Sequence, residues 1–228
     1  MCGIGGLLHA DRRRPVDEEM LAAVKRRLAH RGPDADGAWI EGPCGLAHTR
    51  LAVLDLSPRG RQPMASPGGR FVASYNGEIY NYRELKADLE RRGRHFTSTS
   101  DTEVILHLAE TGGIESLAKL EGMFAIALYD RERGELLLLR DRLGIKPLFW
   151  CQGPEGVAFA SEPKALPPLA DGGKPGPARI AEYLAFRHLA GEECLLPGVR
   201  TLLPGHRLVT DGRNVRVERW WRPRVPSS

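Results

Sequence analysis

Apolar residues recur at helical spacing near the start of the chain and predict its first helix. Leu21, Val24 and Leu28 fall on one face of a 3.6-residue period. Asp17 precedes this run and is a favourable N-terminal cap. A glycine and a proline at positions 32 and 33 form a typical stop signal. The pattern therefore predicts an amphipathic helix between these two signals.

The next stretch of the chain has the two-residue alternation of side chains that is typical of a β-strand. Residues 46–55 alternate as a strand does, with His48 and Arg50 on one face and Thr49, Leu51 and Val53 on the other. After a loop rich in proline and glycine, residues 57–69, a second strand is predicted at residues 70–75.

The second strand runs into Asn76-Gly77, a pair typical of tight turns. Asn81 and Ser100 each precede a glutamate by three residues, which predicts two helices that begin with capping boxes. Short polar segments join apolar strands into hairpins, and a further helix is predicted near the C-terminus. The hairpins span residues 124–140, residues 149–160 and the turn at 211–212, and the helix spans residues 181–188. Hairpins and helices in separate blocks predict an α+β fold with mainly antiparallel sheets.

Composition is that of an ordinary globular protein. Of 228 residues, 42% are hydrophobic and the net charge is +4, so the chain can bury a core and does not resemble a disordered protein. Its basic runs are short and scattered, which argues against a nucleic-acid-binding stripe. Neither a secretory signal nor a membrane-spanning stretch is recognisable. The four widely spaced cysteines fit neither a disulfide framework nor a zinc site, so a cytoplasmic location is expected.

The first residues carry distinctive chemistry. Cys2 follows the initiator methionine, whose removal its small side chain would permit. The thiol would then lie a few bonds from a free α-amine that ionises near neutral pH and could act as its base. The alternative is a cysteine at a frayed, inert chain end.

Eight motifs follow one another along the whole chain at natural spacing. They are CGI at 2–4, RGPD at 31–34, HTRL at 48–51, NGEIYN at 76–81, SDTE at 100–103, GMFA at 122–125, RDRLGIKPL at 140–148 and ASE at 160–162. In series they resemble the glutamine amidotransferase domain of the asparagine synthetase family. This is a class II amidotransferase domain, which belongs to the N-terminal nucleophile hydrolases. The resemblance implies a four-layer α/β/β/α sandwich of two mainly antiparallel sheets. It also implies an enzyme that hydrolyses glutamine.

The resemblance assigns roles to individual residues. Cys2 would attack the glutamine side-chain amide and form a glutamyl thioester, with its own amine as general base. The Asn76 side chain and the Gly77 N–H would form the oxyanion hole. Arg50 would bind the substrate's α-carboxylate, and Glu78 and Asp101 would surround its α-amino group. The remaining pocket residues implied are Leu51, Ala52, Val53 and Leu54.

Each residue alone also has a structural interpretation. Arg50 could be a surface cation, Asp101 a helix-terminal charge, Glu78 a solvated carboxylate and Asn76-Gly77 a plain turn. His48 is a tempting catalytic histidine, but the family needs no histidine base, and we interpret His48 as structural. Cys44, Cys151 and Cys194 are interpreted as packing residues.

The resemblance also implies a domain organisation. Residues 2–170 would form the amidotransferase core, and residues 171–228 a C-terminal helix and hairpin that complete it. Asparagine synthetases continue into an ATP-binding domain with a Ser-Gly-Gly-x-Asp-Ser loop, which this sequence lacks. We therefore expect no cofactor or metal in this chain, and ATP and Mg²⁺ only in the synthetase domain. The chain could be a fragment or a free-standing subunit.

The expected partners are L-glutamine and a synthetase domain or subunit that makes asparagine from aspartate. The resemblance also allows a homodimer, and no nucleic-acid or membrane partner is expected. The alternative function is a catalytically silent regulatory or docking domain of the same fold.

Overall fold

The computed structural model describes residues 1–167 and 173–223. Within them the strands are β1 (Gly3–His9), β2 (Ala35–Glu41), β3 (Cys44–Arg50), β4 (Met64–Ala65), β5 (Phe71–Ile79), β6 (Gly122–Asp130), β7 (Glu135–Arg140), β8 (Phe149–Gly153), β9 (Gly156–Ala160), β10 (Val199–Thr201), β11 (His206–Thr210) and β12 (Val215–Arg219). The α-helices are α1 (Glu18–Leu28), α2 (Tyr82–Arg91), α3 (Asp101–Gly112) and α4 (Pro177–Phe186).

The strands form two six-stranded sheets. Sheet A has the order β10-β8-β9-β1-β3-β2, and sheet B has the order β12-β11-β7-β6-β5-β4. Every pairing between these strands is antiparallel. The predicted α+β class with antiparallel sheets is confirmed.

Three apolar clusters separate four layers. The central cluster lies between the sheets and joins Ile4 and Leu8 of β1 to Val72 of β5 and Leu138 of β7. A second cluster packs α1 on the outer face of sheet A. A third packs α2 and α3 on the outer face of sheet B. Because both faces of each sheet are covered, β1 is buried at all seven positions. The predicted α/β/β/α sandwich is confirmed.

The helix signals were partly correct. Asp17 caps α1 by accepting from the Glu19 N–H at 3.0 Å, as predicted. Ser100 caps α3 in the same way through the Thr102 N–H. The Glu103 carboxylate, however, binds Thr97 and Ser98 instead of closing a capping box.

Asn81 precedes α2 but makes no side-chain cap. Its amide bonds to the backbone of Lys119 and Glu121, so it ties the start of α2 to the segment before β6.

Two strand predictions were wrong. The strand predicted over residues 46–55 ends at Arg50, the last residue that pairs with β2, and residues 51–55 form an irregular loop. Asn76-Gly77 is not a turn, because β5 continues to Ile79 and pairs with β6 throughout. A Cβ at Gly77 would lie 2.2 Å from the Met123 carbonyl oxygen. The glycine therefore allows close approach of β6, and tertiary pairing overrides its local turn preference.

The C-terminal third joins both sheets. β10 extends sheet A beside β8, and the β11–β12 hairpin extends sheet B beside β7. The predicted boundary between residues 170 and 171 lies outside the described residues. In the described part of the chain, no helix is long and apolar enough to cross a membrane.

We expect the central layer to govern stability. Leu138→Ala removes a fully buried side chain between the sheets and should lower the free energy of unfolding by about 2–5 kcal/mol. Leu184→Ala, on the exposed side of α4 where the leucine is 69% exposed, should change it by less than about 0.5 kcal/mol. Urea unfolding followed by circular dichroism measures both, and equal midpoints would contradict the layered core.

Candidate active site

One pocket opens where the start of β1 meets the end of β3. It is lined by Cys2, Arg50, Leu51, Val53, Leu54, Asp55, Gly60, Gln62, Tyr75, Gly77, Glu78, Ser100, Asp101 and Thr102. Most of the residues singled out from the sequence therefore lie together. Ala52 and Asn76 are the two that do not line it.

Cys2 is held beside the loop that follows β3. Its Sγ accepts from the Leu51 N–H at 3.4 Å and lies 3.5 Å from the Leu51 carbonyl oxygen. Burial raises the pKa of the Cys2 thiol, against the opposing effects of the Leu51 hydrogen bond, the amino-terminal charge and Arg50. The thiol is therefore protonated at neutral pH and needs a base to become a nucleophile.

The backbone of Cys2 is fixed from the other side by Arg31. The Arg31 Nε donates to the Cys2 carbonyl at 3.0 Å, and its Nη1 pairs with Glu162 at 2.9 Å. Burial acts to raise the pKa of Glu162, but hydrogen bonds from Arg31, His30 and Lys164 lower it to about 2. The carboxylate is thus ionised and keeps Arg31 in place.

Arg50 places a fixed cation in the pocket. Its guanidinium donates to the Ser57 carbonyl at 3.0 Å and to the Asp55 carbonyl. A Cβ at Gly60 would lie 2.4 Å from Arg50 Nη2, so the glycine makes room for the guanidinium. The remaining N–H groups of Arg50 can bind a carboxylate.

Two carboxylates line the same pocket as Arg50. Asp101 Oδ2, at the start of α3, accepts from the Tyr75 hydroxyl at 2.7 Å and the Ile79 N–H at 3.0 Å. Burial raises the pKa of Asp101, against these hydrogen bonds. Burial and the nearby Asp101 raise the pKa of Glu78, and Lys146 opposes them. One guanidinium and two carboxylates match the carboxylate and ammonium of a free amino acid.

The outer edge of β5 offers a free N–H. The Phe124 N–H donates to the Asp141 side chain, and the Phe124 carbonyl accepts from the Asp141 N–H. Both backbone groups of Phe124 therefore point away from β5. Gly77 lies opposite Phe124 in the ladder, so its N–H must point away from β6. The N–H groups of Tyr75 and Ile79 point the same way and bind Gln62 and Asp101. Among the described residues, β4 reaches only as far as Ala73 along this edge. The Gly77 N–H is therefore left to the pocket.

Asn76 alternates to the other face of β5. It is 1% exposed, and its Nδ2 has no hydrogen-bond partner among the described residues. A buried amide left without an acceptor is costly, so this donor is available for a group that the structure does not contain.

Sequence reasoning missed Gln62 and Tyr75. The Gln62 Oε1 accepts from the Tyr75 N–H at 2.6 Å, and the Tyr75 hydroxyl holds Asp101. Gln62 lies in an irregular loop with no local signal. Ser100 and Thr102 also line the pocket, and their place in the SDTE motif was a signal that could have identified them.

A family model described as "Glutamine amidotransferase domain" matches residues 1–221. The chain belongs to this family. The sequence-based assignment to the glutamine amidotransferases, an enzyme family, is confirmed.

The curated relatives are larger proteins. "Asparagine synthetase [glutamine-hydrolyzing] 2" of Bacillus subtilis (strain 168) is 42% identical over 168 residues, which cover 73% of this chain and 22% of the relative. "Asparagine synthetase [glutamine-hydrolyzing] 3" of the same organism is 32% identical over 235 residues, covering 97% and 36%. This amidotransferase domain thus spans about a third or less of these relatives.

A solved structure shares the fold. It is the glutamine phosphoribosylpyrophosphate amidotransferase from B. subtilis complexed with ADP and GMP, with a TM-score of 0.69 and 21% identity. The match covers 97% of this chain and 50% of that one.

His48 is buried outside the pocket of this amidotransferase domain. Its Nε2 lies 3.1 Å from the Tyr75 carbonyl oxygen, and it does not line the pocket. Burial lowers the pKa of His48 to about 4, against the hydrogen bond to Tyr75. Cys44 and Cys151 are buried and Cys194 is half-buried, and all are free thiols.

The lowered pKa of His48 predicts a loss of stability in acid. The unfolded state binds this proton below about pH 6.5 and the folded state only near pH 4. The stabilisation is therefore present above about pH 6.5 and is lost as the pH falls toward 4, on the order of 3 kcal/mol.

His48→Gln keeps a donor toward Tyr75 and removes the titration, so its unfolding free energy should fall less steeply between pH 6.5 and 4. Urea unfolding at several pH values measures the slope. The exposed His188→Gln serves as control and should keep the wild-type slope. An unchanged slope in His48→Gln would mean that other groups carry the acid sensitivity.

Proposed function

We propose that this domain hydrolyses L-glutamine to glutamate and ammonia through a glutamyl thioester on Cys2. The observation that carries the proposal is the single pocket lined by the Cys2 thiol, the Arg50 guanidinium and the carboxylates of Glu78 and Asp101. Such a set binds the two charged ends of a free amino acid and leaves its side chain to the nucleophile.

The chemistry requires Met1 to be removed, so that Cys2 carries a free α-amine. This amine takes the thiol proton as sulfur attacks the side-chain carbonyl carbon. The C–N bond then breaks, and the same proton leaves with nitrogen as ammonia. Water, deprotonated by the amine, attacks the thioester and releases glutamate and the thiol. The raised pKa of the Cys2 thiol makes this base necessary at neutral pH.

Two donors are available to the oxyanion. The Gly77 N–H points out of β5 toward the pocket, and the Asn76 Nδ2 is a buried donor without a partner in the described chain. We propose that both bind the negatively charged oxygen that forms during attack. They bind this oxygen more strongly than the neutral carbonyl oxygen of the substrate.

The ammonia would pass to an ATP-dependent synthetase domain, with asparagine from aspartate as the favoured product. The names of the relatives support this, since they are glutamine-hydrolysing asparagine synthetases. Two exposed apolar side chains follow pocket residues closely along the chain, Leu56 after Asp55 and Tyr80 after Glu78, and suit a covering partner. Neither ATP nor a metal would take part in the reaction of this domain.

A silent docking domain of the same fold is the alternative. The ordered partners of Arg50 and Asp101 favour catalysis over this alternative, because their side chains are fixed with unused donors and acceptors toward the pocket. A glutaminase assay separates the two functions.

A blocked terminus should abolish glutamine hydrolysis. The wild-type domain should release ammonia in the presence of EDTA and without ATP, and its intact mass should lack methionine. An alanine inserted before Cys2 leaves an Ala-Cys terminus, which removes the amine from Cys2 but leaves the fold intact by circular dichroism. Full activity of this variant would exclude the amine as base, and an inactive wild type would favour the docking function.

Substitutions at the two ends of the site should change different kinetic parameters. Asn76→Ala should lower kcat by roughly 10²–10³-fold, because an oxyanion donor acts mainly in the transition state. Arg50→Ala should mainly raise KM, because a carboxylate clamp binds ground and transition states alike. Steady-state kinetics measure both, with the exposed Arg83→Ala as a matched control. If both changes affected only KM, Asn76 would have no role in the transition state.

A further inference from the structure

Lys146 is a buried cation whose partner is unusually weak. The residue is 6% exposed, and among the described residues the only hydrogen-bond partner of its Nζ is the Met1 Sδ, at 3.4 Å. A thioether is a poor acceptor, and an ammonium is stable in the interior only when an anion or strong acceptor compensates it. Lys146 thus lies against the one residue that the proposed function requires to be removed.

The loop that carries Lys146 is rigid. The Asp141 carboxylate accepts from the N–H groups of Leu143, Ile145 and Lys146, each at 3.0 Å. The Arg140 guanidinium binds the carbonyl of Lys146 at 2.8 Å from the other side. The backbone is therefore fixed on both sides of Lys146, and its side chain is held toward the chain terminus.

The other cations beside Cys2 already have partners. Arg31 pairs with Glu162 and the Cys2 carbonyl, and Arg50 binds the carbonyls of Asp55 and Ser57. Of these three cations, Lys146 is the one without a carbonyl or carboxylate partner among the described residues.

The nearby anions are less well compensated. Asp101 is held by Tyr75 and Ile79, whereas Glu78 has no hydrogen bond or ion pair from its carboxylate within the described residues. The Lys146 ammonium reaches Met1, the residue next to Cys2, and Cys2 and Glu78 line the same pocket, so removal of Met1 would leave the ammonium beside the pocket that holds Glu78. The positive charge of Lys146 acts to lower the pKa of Glu78, in the same sense.

We propose that Lys146 is a positioning residue, whose buried ammonium pairs with the Glu78 carboxylate beside the terminal amine of Cys2 once Met1 has been removed. The inference rests on the proposed function in one respect, the removal of Met1. It adds an electrostatic role for the RDRLGIKPL motif.

The pair has two consequences of the same sign. Lys146 keeps Glu78 ionised, which the substrate ammonium requires. The same positive charge disfavours protonation of the Cys2 amine, which must be neutral to act as base. Arg31 and Arg50 act in the same direction, and Glu78, Asp101 and Glu162 oppose them. Without Lys146, Glu78 and the Cys2 amine would each take up a proton at a higher pH than they do with Lys146 present.

The test compares Lys146→Met, which removes the charge, with Lys146→Arg, which keeps it. In Lys146→Met the acid limb of kcat/KM for glutamine should move up by about one pH unit, a roughly tenfold loss at the acid end with rates within about twofold at the alkaline end. Lys146→Arg should keep the wild-type limb. Lys174→Met, which removes an exposed charge outside the pocket, should also keep it.

A second readout does not depend on activity. Trace acetylation of the Cys2 amine with acetic anhydride, after the thiol has been blocked as a methyl disulfide to prevent acyl transfer from sulfur, is quantified by mass spectrometry across pH and reports the fraction of neutral amine. Its midpoint should rise in Lys146→Met and stay in Lys146→Arg. If Lys146→Met does not fold, Lys146→Gln takes its place.

The outcomes separate the two proposals. A uniform fall in rate at every pH with an unchanged acetylation midpoint would show that Lys146 has only a structural role. An inactive wild type with a shifted midpoint would support the Lys146 inference and overturn the glutaminase function. An inactive wild type with an unchanged midpoint would overturn both.

Discussion

The site depends on a buried first strand. Chain ends usually fray, yet β1 lies between β3 and β9 in the middle of sheet A, with both faces covered. Its two ladders and the Arg31 bond to the Cys2 carbonyl fix the second residue of the chain to a degree that is usual only for interior positions. The proposed role of Cys2 as a terminal nucleophile requires a terminus with such order.

Around this strand, each layer supplies one kind of group. Sheet A brings Cys2 and Arg50, sheet B brings Gly77 and Glu78, and α3 brings Asp101. The pocket therefore exists only when the two sheets and the helical layer are packed together. The charged groups also come from different kinds of segment. Arg31 and Arg50 are held by groups in loops, the Glu162 carboxylate and the Ser57 carbonyl, whereas Glu78 and Asp101 lie on β5 and α3.

Sequence periodicity predicted the elements whose local signals and tertiary contacts agree. The Asp17 cap and the hairpin of β6 and β7 are examples. It failed at residues 51–55, where apolar alternation marks a pocket wall instead of a strand, and at Asn76-Gly77, where a turn signal serves close strand packing.

The site residues could be predicted mainly from the motifs, since Arg50 or Asp101 taken alone could equally have a structural role. Gln62 and Tyr75 could not be found in this way, because their role is to hold other site residues through contacts between distant segments.

The position of β1 also bears on how the chain is made. During synthesis, β1 acquires its second neighbour only when residues 156–160 of β9 have been added. Contacts of such long sequence separation form late. Until then β3 is the only strand beside β1 in sheet A, so the segment that carries Cys2 is held from one side only.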